Sequence, residues 1–89
     1  MGMKDLGTLG GSFSQATSIN QLGQVTGTAE TSAGAMHAFL WTLAGGMQDL
    51  GTLGGTWSQA RALNALGQVT GNAGTTTDAW HAFLWTPRS

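Results

Sequence analysis

Hydrophobic residues alternate with small or polar ones along several short stretches of this 89-residue chain, most clearly in residues 37–42. There His37, Phe39 and Trp41 would point to one face of a strand, and the residues between them to the other. No window repeats apolar residues at helical spacing over a helical length, and Gly interrupts nearly every candidate. The pattern therefore predicts an all-β chain.

The whole pattern occurs twice. Residues 3–45 align without gaps onto residues 47–89, and 27 of the 43 aligned pairs are identical. Self-similarity at such a period is typical of repeat architectures. We therefore divide the chain into a first repeat, residues 3–46, and a second repeat, residues 47–89.

Each repeat contains four stretches with strand character. In the first repeat they are residues 3–9, closed by Gly10 and Gly11, followed by residues 15–20, 24–29 and 37–42. Residues 21–23 are short enough for a tight hairpin in which Gly23 has a positive φ. A four-stranded unit of about 40 to 50 residues has the size of a propeller blade.

A sheet with one bulky and one small face suits stacking on a copy of itself. The residues expected in this packing between blades are His37, Phe39, Trp41, His81, Phe83 and Trp85. Two blades alone would leave their outer faces in water, and head-to-tail contacts either close into a ring or continue as a fibre. Three chains would give six blades and four would give eight, so the sequence predicts a homo-trimer or a homo-tetramer.

The positions of the strands predict how such a ring would close. If residues 15–41 supply three strands of one blade, residues 47–53 supply its fourth strand, whereas the blade of residues 59–85 has no fourth strand in its own chain. A neighbouring chain would fill that position by strand exchange, which also covers an exposed sheet edge. The exchanged residues would be Met3, Lys4, Asp5, Leu6, Gly7, Thr8 and Leu9.

Charge and composition exclude several function classes. Three basic residues stand against four acidic ones, giving a net charge of −1, and the chain has no Cys. Nucleic-acid binding needs clustered Lys and Arg, so neither DNA nor RNA is an expected partner. The sequence shows no apolar run of membrane-spanning length and no signal-peptide pattern, so no membrane partner is expected, and the residues themselves do not indicate a location.

No candidate for catalysis or cofactor binding emerges. The two histidines adjoin no carboxylate or thiol in sequence, Asp5 and Asp49 occupy equivalent positions in the two repeats, and the glycine-rich residues 7–11 lack the Lys-Ser or Lys-Thr of a phosphate loop. We expect no enzyme activity, no metal and no cofactor. In WD-repeat propellers a blade histidine bonds to serine and aspartate, and by analogy Asp5, Asp49, Ser14 and Ser58 are candidates for that part.

Aromatic residues that lie at loop or strand edges supply an alternative function. Phe13 of the first repeat aligns with Trp57 of the second, and Met36 aligns with Trp80, so the residue differs at both positions. An exposed Trp stacks well on sugar rings, so these residues are candidates for a lectin-like rim that binds a carbohydrate or a peptide. The competing interpretation is that they pack between blades.

The motifs that carry this reasoning are DLGTLGG, LGQVTG and HAFLW, and each occurs in both repeats. They resemble the bacterial extracellular repeats called the HAF family, over residues 3–86. The resemblance implies tandem β-propeller blades in secreted or cell-surface proteins, with no reaction or ligand attached. Members of that family carry more than two repeats, so this chain resembles an excised or engineered propeller fragment.

Overall fold

The structure, a computed structural model, describes residues 2–87, so Met1 and the last two residues of the second repeat, Arg88 and Ser89, lie outside it. Those residues form seven β-strands and no helix, which confirms the all-β prediction. The strands are β1 (Gly10–Ile19), β2 (Val25–Thr31), β3 (Met36–Thr42), β4 (Gly46–Asp49), β5 (Gly54–Leu63), β6 (Val69–Thr75) and β7 (Trp80–Trp85).

The strands form two antiparallel sheets. The first sheet has the order β1-β2-β3-β4, and the second has the order β5-β6-β7. Prediction and structure therefore agree that the first sheet completes itself with a strand from the second repeat. The second sheet has three strands within residues 2–87, and these residues form no closed ring.

Two predicted strand boundaries are wrong. Gly10 and Gly11, expected to close a strand, begin β1 instead, and residues 3–9 form no strand within this chain apart from a parallel bridge between Leu9 and Thr31. In the second repeat β4 ends at Asp49, whereas the prediction extended it to residue 53. The cause is a local turn, since the Gly51 amide donates to the Asp49 carboxylate at 2.8 Å and Gly51 has a φ of 83°.

The predicted hairpin between β1 and β2 is confirmed. Gly23 has a φ of 79°, and its amide donates to the Asn20 carbonyl at 3.1 Å. The Asn20 side-chain oxygen accepts from the amides of Leu22 and Gln24, both at 3.0 Å. An asparagine that bonds its own turn in this way explains why residues 20–24 reverse the chain.

A small apolar core lies between the two sheets. Its buried members are Ala38 and Leu40 of β3, Ala60 of β5 and Val69 of β6. The partly buried Leu50, Leu63, Phe83 and Trp85 pack around them. The second sheet therefore turns its aromatic face toward the Ala38 and Leu40 face of the first.

Backbone geometry forces glycine at one position of each sheet. A Cβ atom on Gly27 would overlap the carbonyl oxygen of Gln15, and one on Gly71 would overlap that of Gln59. Both glycines lie opposite an irregularity in the neighbouring strand, where the pairing register shifts. Both repeats thus require glycine at the same aligned position, beside the register shift in β1 and in β5.

Candidate functional site: the joint between the two sheets

Ser58 of β5 links the second sheet to the first, in the contact region between the sheets that we call the joint. Its hydroxyl donates to the Gly51 carbonyl at 2.5 Å and accepts from the Ala38 amide at 2.7 Å. The Leu50 amide donates to the Ala38 carbonyl at 2.9 Å. Ser58 is buried. Its hydroxyl takes the place of a backbone acceptor for the Ala38 amide, where β3 continues beyond the end of β4.

His37 and Asp49 join β3 to β4 beside that serine. The Nδ1 atom of His37 lies 3.0 Å from each carboxylate oxygen of Asp49. Nδ1 donates in this contact in the tautomer that carries its proton there, since an ionised carboxylate can only accept hydrogen bonds. The WD-repeat analogy thus holds for the aspartate, whereas Ser58 contacts the backbone of the joint.

Two hydrogen bonds hold the joint at its other end. The Thr17 hydroxyl donates to the Ala60 carbonyl at 3.1 Å, and the Asn20 side-chain amide donates to the Asn64 carbonyl at 2.9 Å. Neither contact was predicted from the sequence. The one available signal was that Asn20 and Asn64 are identical at aligned positions, which is equally well explained by their hairpin turns.

The N-terminal segment, residues 3–9, carries a second copy of part of this joint. The Gly7 amide donates to the Asp5 carboxylate at 2.9 Å, and the Ser14 hydroxyl donates to the Gly7 carbonyl at 2.7 Å. These are the bonds that Gly51 makes with Asp49 and Ser58. The segment therefore has the local turn of residues 47–53 but, within residues 2–87, no β3-like strand beside residues 3–6.

The outer edge of β7 carries the complementary part. β7 has the same HAFLW sequence as β3, but no strand pairs with its outer edge in the described part of the chain. Leu84 is 67% exposed, whereas the equivalent Leu40 is 4% exposed. His81 and Ala82 are likewise exposed. Opposite ends of the molecule thus carry the two halves of the joint that lies at its centre.

The six residues expected to pack between blades fall into different surroundings. Phe83 and Trp85 pack against the inter-sheet core, and His37 bonds to Asp49 within its own sheet. Phe39 is buried on the other face of the first sheet, where it lines a hollow with Ser14 and Ala16. The half-buried Trp41 pairs with Met47, and His81 is exposed.

The three candidate rim residues divide into a pair and a single residue. Trp57 and Trp80 meet edge to face, with ring centroids 5.2 Å apart and an interplanar angle of 74°. They line a cleft of about 370 Å³ between the sheets, together with Gln15, Thr28, Met36, Ser58 and Gln59. Phe13 is exposed and does not line this cleft.

Glu30 is one ionisable group whose chemistry the fold alters. The Ser12 amide and hydroxyl donate to one Glu30 carboxylate oxygen at 2.8 and 2.9 Å. These two bonds favour the charged form and lower the pKa of Glu30 below its ordinary value of 4.5. The second repeat has Gly74 at the aligned position, so this clamp belongs to the first sheet alone.

Residues 2–87 contain no group of three or more His, Cys, Asp or Glu side chains placed to hold a metal ion. Within the same residues, no helix has the length and apolar character to cross a membrane. Comparisons with family models, with curated proteins and with solved structures gave no match to this chain. The resemblance to HAF repeats therefore stays a prediction that rests on the quoted motifs.

Proposed function

We propose that this chain is a structural, self-assembling β-propeller module whose partner is a second copy of itself. The observation that carries the proposal is the duplication of the joint. The central joint unites the two sheets, and its two halves recur separately at the N-terminal segment and at β7.

The hydrogen bonds of the new joint follow from those of the existing one. Residues 3–6 of one copy would pair with the outer edge of β7 in the next, as β4 pairs with β3. Ser14 would accept from the Ala82 amide, as Ser58 accepts from Ala38. Asp5 would meet His81, as Asp49 meets His37. These three contacts each have an observed counterpart in the central joint, whereas the Thr17–Ala60 bond has no equivalent because Arg61 is aligned with Thr17.

Apolar burial would supply most of the driving force. The exposed face of β7 with Ala82 and Leu84 would cover the face of the first sheet that contains Ala16 and Val25. The equivalent central contact buries Ala38 and Leu40 against Ala60 and Val69. Burying one leucine side chain contributes about 1.5–3 kcal/mol, so the contact at Leu84 alone is a substantial term.

Repetition of one head-to-tail contact produces a ring when the rotation closes. Three chains would give a six-bladed ring and four would give an eight-bladed ring, and both sizes lie within the range of roughly four to eight blades. In either ring each second sheet receives its fourth strand from a neighbouring copy. We assign the ring no catalytic step, because His37 and Asp49 are engaged with each other and with the backbone.

Light scattering coupled to size-exclusion chromatography tests the proposal on the 89-residue chain. We expect a discrete species of three or four 9.1 kDa chains. A folded monomer that stays monomeric across a wide concentration range would overturn it, and a continuous ladder of masses would show an open fibre. The secreted or cell-surface location implied by the HAF resemblance is a separate proposal, to be tested by fractionating cells that express the natural gene.

A further inference from the structure

The cleft between the sheets differs from the rest of the joint in its residues, because the second repeat departs from the first at this place. Three aligned positions change together, from Phe13, Glu30 and Met36 to Trp57, Gly74 and Trp80. Gly74 and Trp80 are paired across β6 and β7. The changes therefore cluster at one place in the fold.

Removing the side chain at position 74 is what admits the first tryptophan. A Cβ atom on Gly74 would lie 2.7 Å from Nε1 of Trp57, so the indole rests directly on the Gly74 backbone. Trp57 in turn meets Trp80 edge to face. An edge-to-face contact is a favourable arrangement of two aromatic rings.

Packing within a single chain does not account for the second tryptophan. Trp80 is 74% exposed, although it lines the cleft and contacts Trp57. An exposed indole forgoes the stabilisation that its burial would give. The arrangement therefore presents an aromatic surface to whatever enters the cleft.

The remaining lining residues of the cleft are uncharged, and they comprise the apolar Met36 and several polar side chains. The exposed Gln15 of the first sheet and Gln59 of the second each contribute an amide, which donates and accepts hydrogen bonds. Thr28 adds a hydroxyl. No Asp, Glu, Lys or Arg among the described residues lines the cleft.

We infer that this cleft binds a neutral sugar ring of an oligosaccharide. The C–H face of a pyranose is weakly positive and complements the negative face of an indole, while its hydroxyls suit paired amides. A volume of about 370 Å³ falls at the lower end of small-molecule sites, which run from about 300 to 1,000 Å³. Acidic and phosphorylated peptides need Arg clusters, which this cleft lacks, and a proline-rich peptide, which also docks on aromatic side chains, is the alternative that the test below includes.

Both walls of the cleft come from one chain, so the cleft forms without a second copy. Oligomer mass is measured beside sugar binding, because Trp80 belongs to β7, which the proposed ring would cover. Titration of the whole chain with maltotriose, triacetylchitotriose and lactose, followed by calorimetry and Trp fluorescence, tests the inference. We expect saturable binding of at least one of these sugars at one site per chain. Substituting Trp80→Ala should weaken that binding at least about tenfold, Trp80→Phe should weaken it less, and Gln59→Ala should also weaken it.

Leu43→Ala is the matched control, because Leu43 is 82% exposed and lies in the turn between β3 and β4, outside the cleft. It should leave the affinity unchanged. Absence of binding by all three sugars, equal affinity in Trp80→Ala, or preferential binding of an uncharged, capped proline-rich peptide would each overturn the inference. Loss of oligomer mass in Trp80→Ala with no sugar effect would assign Trp80 to packing between copies instead.

Discussion

The HAFLW sequence occurs in β3 and again in β7, and the two copies lie in different surroundings. In β3, Ala38 and Leu40 are buried under the second sheet and β4 covers the outer edge. In β7 the aligned Ala82 and Leu84 are exposed, and within the described residues no strand covers that edge. Identical residues with identical strand geometry thus differ in burial only because their neighbours differ.

The difference shows which strand of the single chain lacks the neighbours that cover its counterpart. The leucine is buried in one repeat and exposed in the other. The exposed leucine is therefore available to make the same contact with a second copy. Exposed apolar faces of this kind typically indicate an interaction site. Experiments that alter aligned residues in both repeats therefore test the proposed ring directly.

Deleting residues 3–9 should have the largest effect, because it removes the strand that would cover β7. We expect the mass to fall from three or four chains to one, measured by light scattering, and the β7 amides to exchange rapidly with deuterium. Lys4→Gln is the matched control, since the second repeat has Gln48 at that position, and it should retain the oligomer. An intact oligomer after the deletion would exclude strand exchange.

Alanine at the two aligned leucines should come next. Leu40→Ala should lower the free energy of unfolding by about 2–5 kcal/mol, because it leaves a cavity in the core between the sheets. In the ring, Leu84→Ala should cost a comparable amount, measured by urea unfolding at one fixed chain concentration. If Leu84→Ala changes stability by less than about 0.5 kcal/mol, Leu84 remains exposed and the ring contact is absent.

The two aligned serines should give a smaller pair of effects. Ser58→Ala should cost about 1–3 kcal/mol, because the buried Ala38 amide loses its acceptor. Ser14→Ala should match it only if Ser14 accepts from Ala82 of a second copy. Thermal unfolding of both variants, with and without residues 3–9, measures this, and a neutral Ser58→Ala would show that the joint does not depend on the hydrogen bonds of Ser58.

Glu30→Gln should have the smallest effect and should depend on pH. Because Ser12 lowers the pKa of Glu30 in the folded chain, the contribution to stability is present above the ordinary pKa of 4.5 and is lost as the pH falls through the lowered value. The variant should therefore melt slightly below the parent at neutral pH and coincide with it in strong acid. Melting curves across that range check the sign; a gap that widens in acid would contradict it.

The pattern of residues was sufficient for the strands and the tight hairpin because both depend on local chemistry. Alternation along residues 37–42 and the asparagine turn at residues 20–24 act within a few residues of the chain. The start of β1 at Gly10 and the end of β4 at Asp49 were predicted wrongly, because the local sequence at these two places is compatible with more than one boundary. A glycine pair can begin a strand as readily as it ends one, and the bond from Gly51 to Asp49 shortens β4.

Some features of the candidate site could likewise be predicted from the sequence, and others could not. The repeat by itself determined that β4 comes from the second repeat and that the second sheet has three strands, since both follow from the order of like segments. Only the tertiary structure decided that Ser58 bonds the backbone, that Trp57 rests on Gly74, and that Leu40 is buried while Leu84 is not. Those facts arise between segments distant in the chain, and identical sequences in the two repeats cannot distinguish a covered strand from an uncovered one.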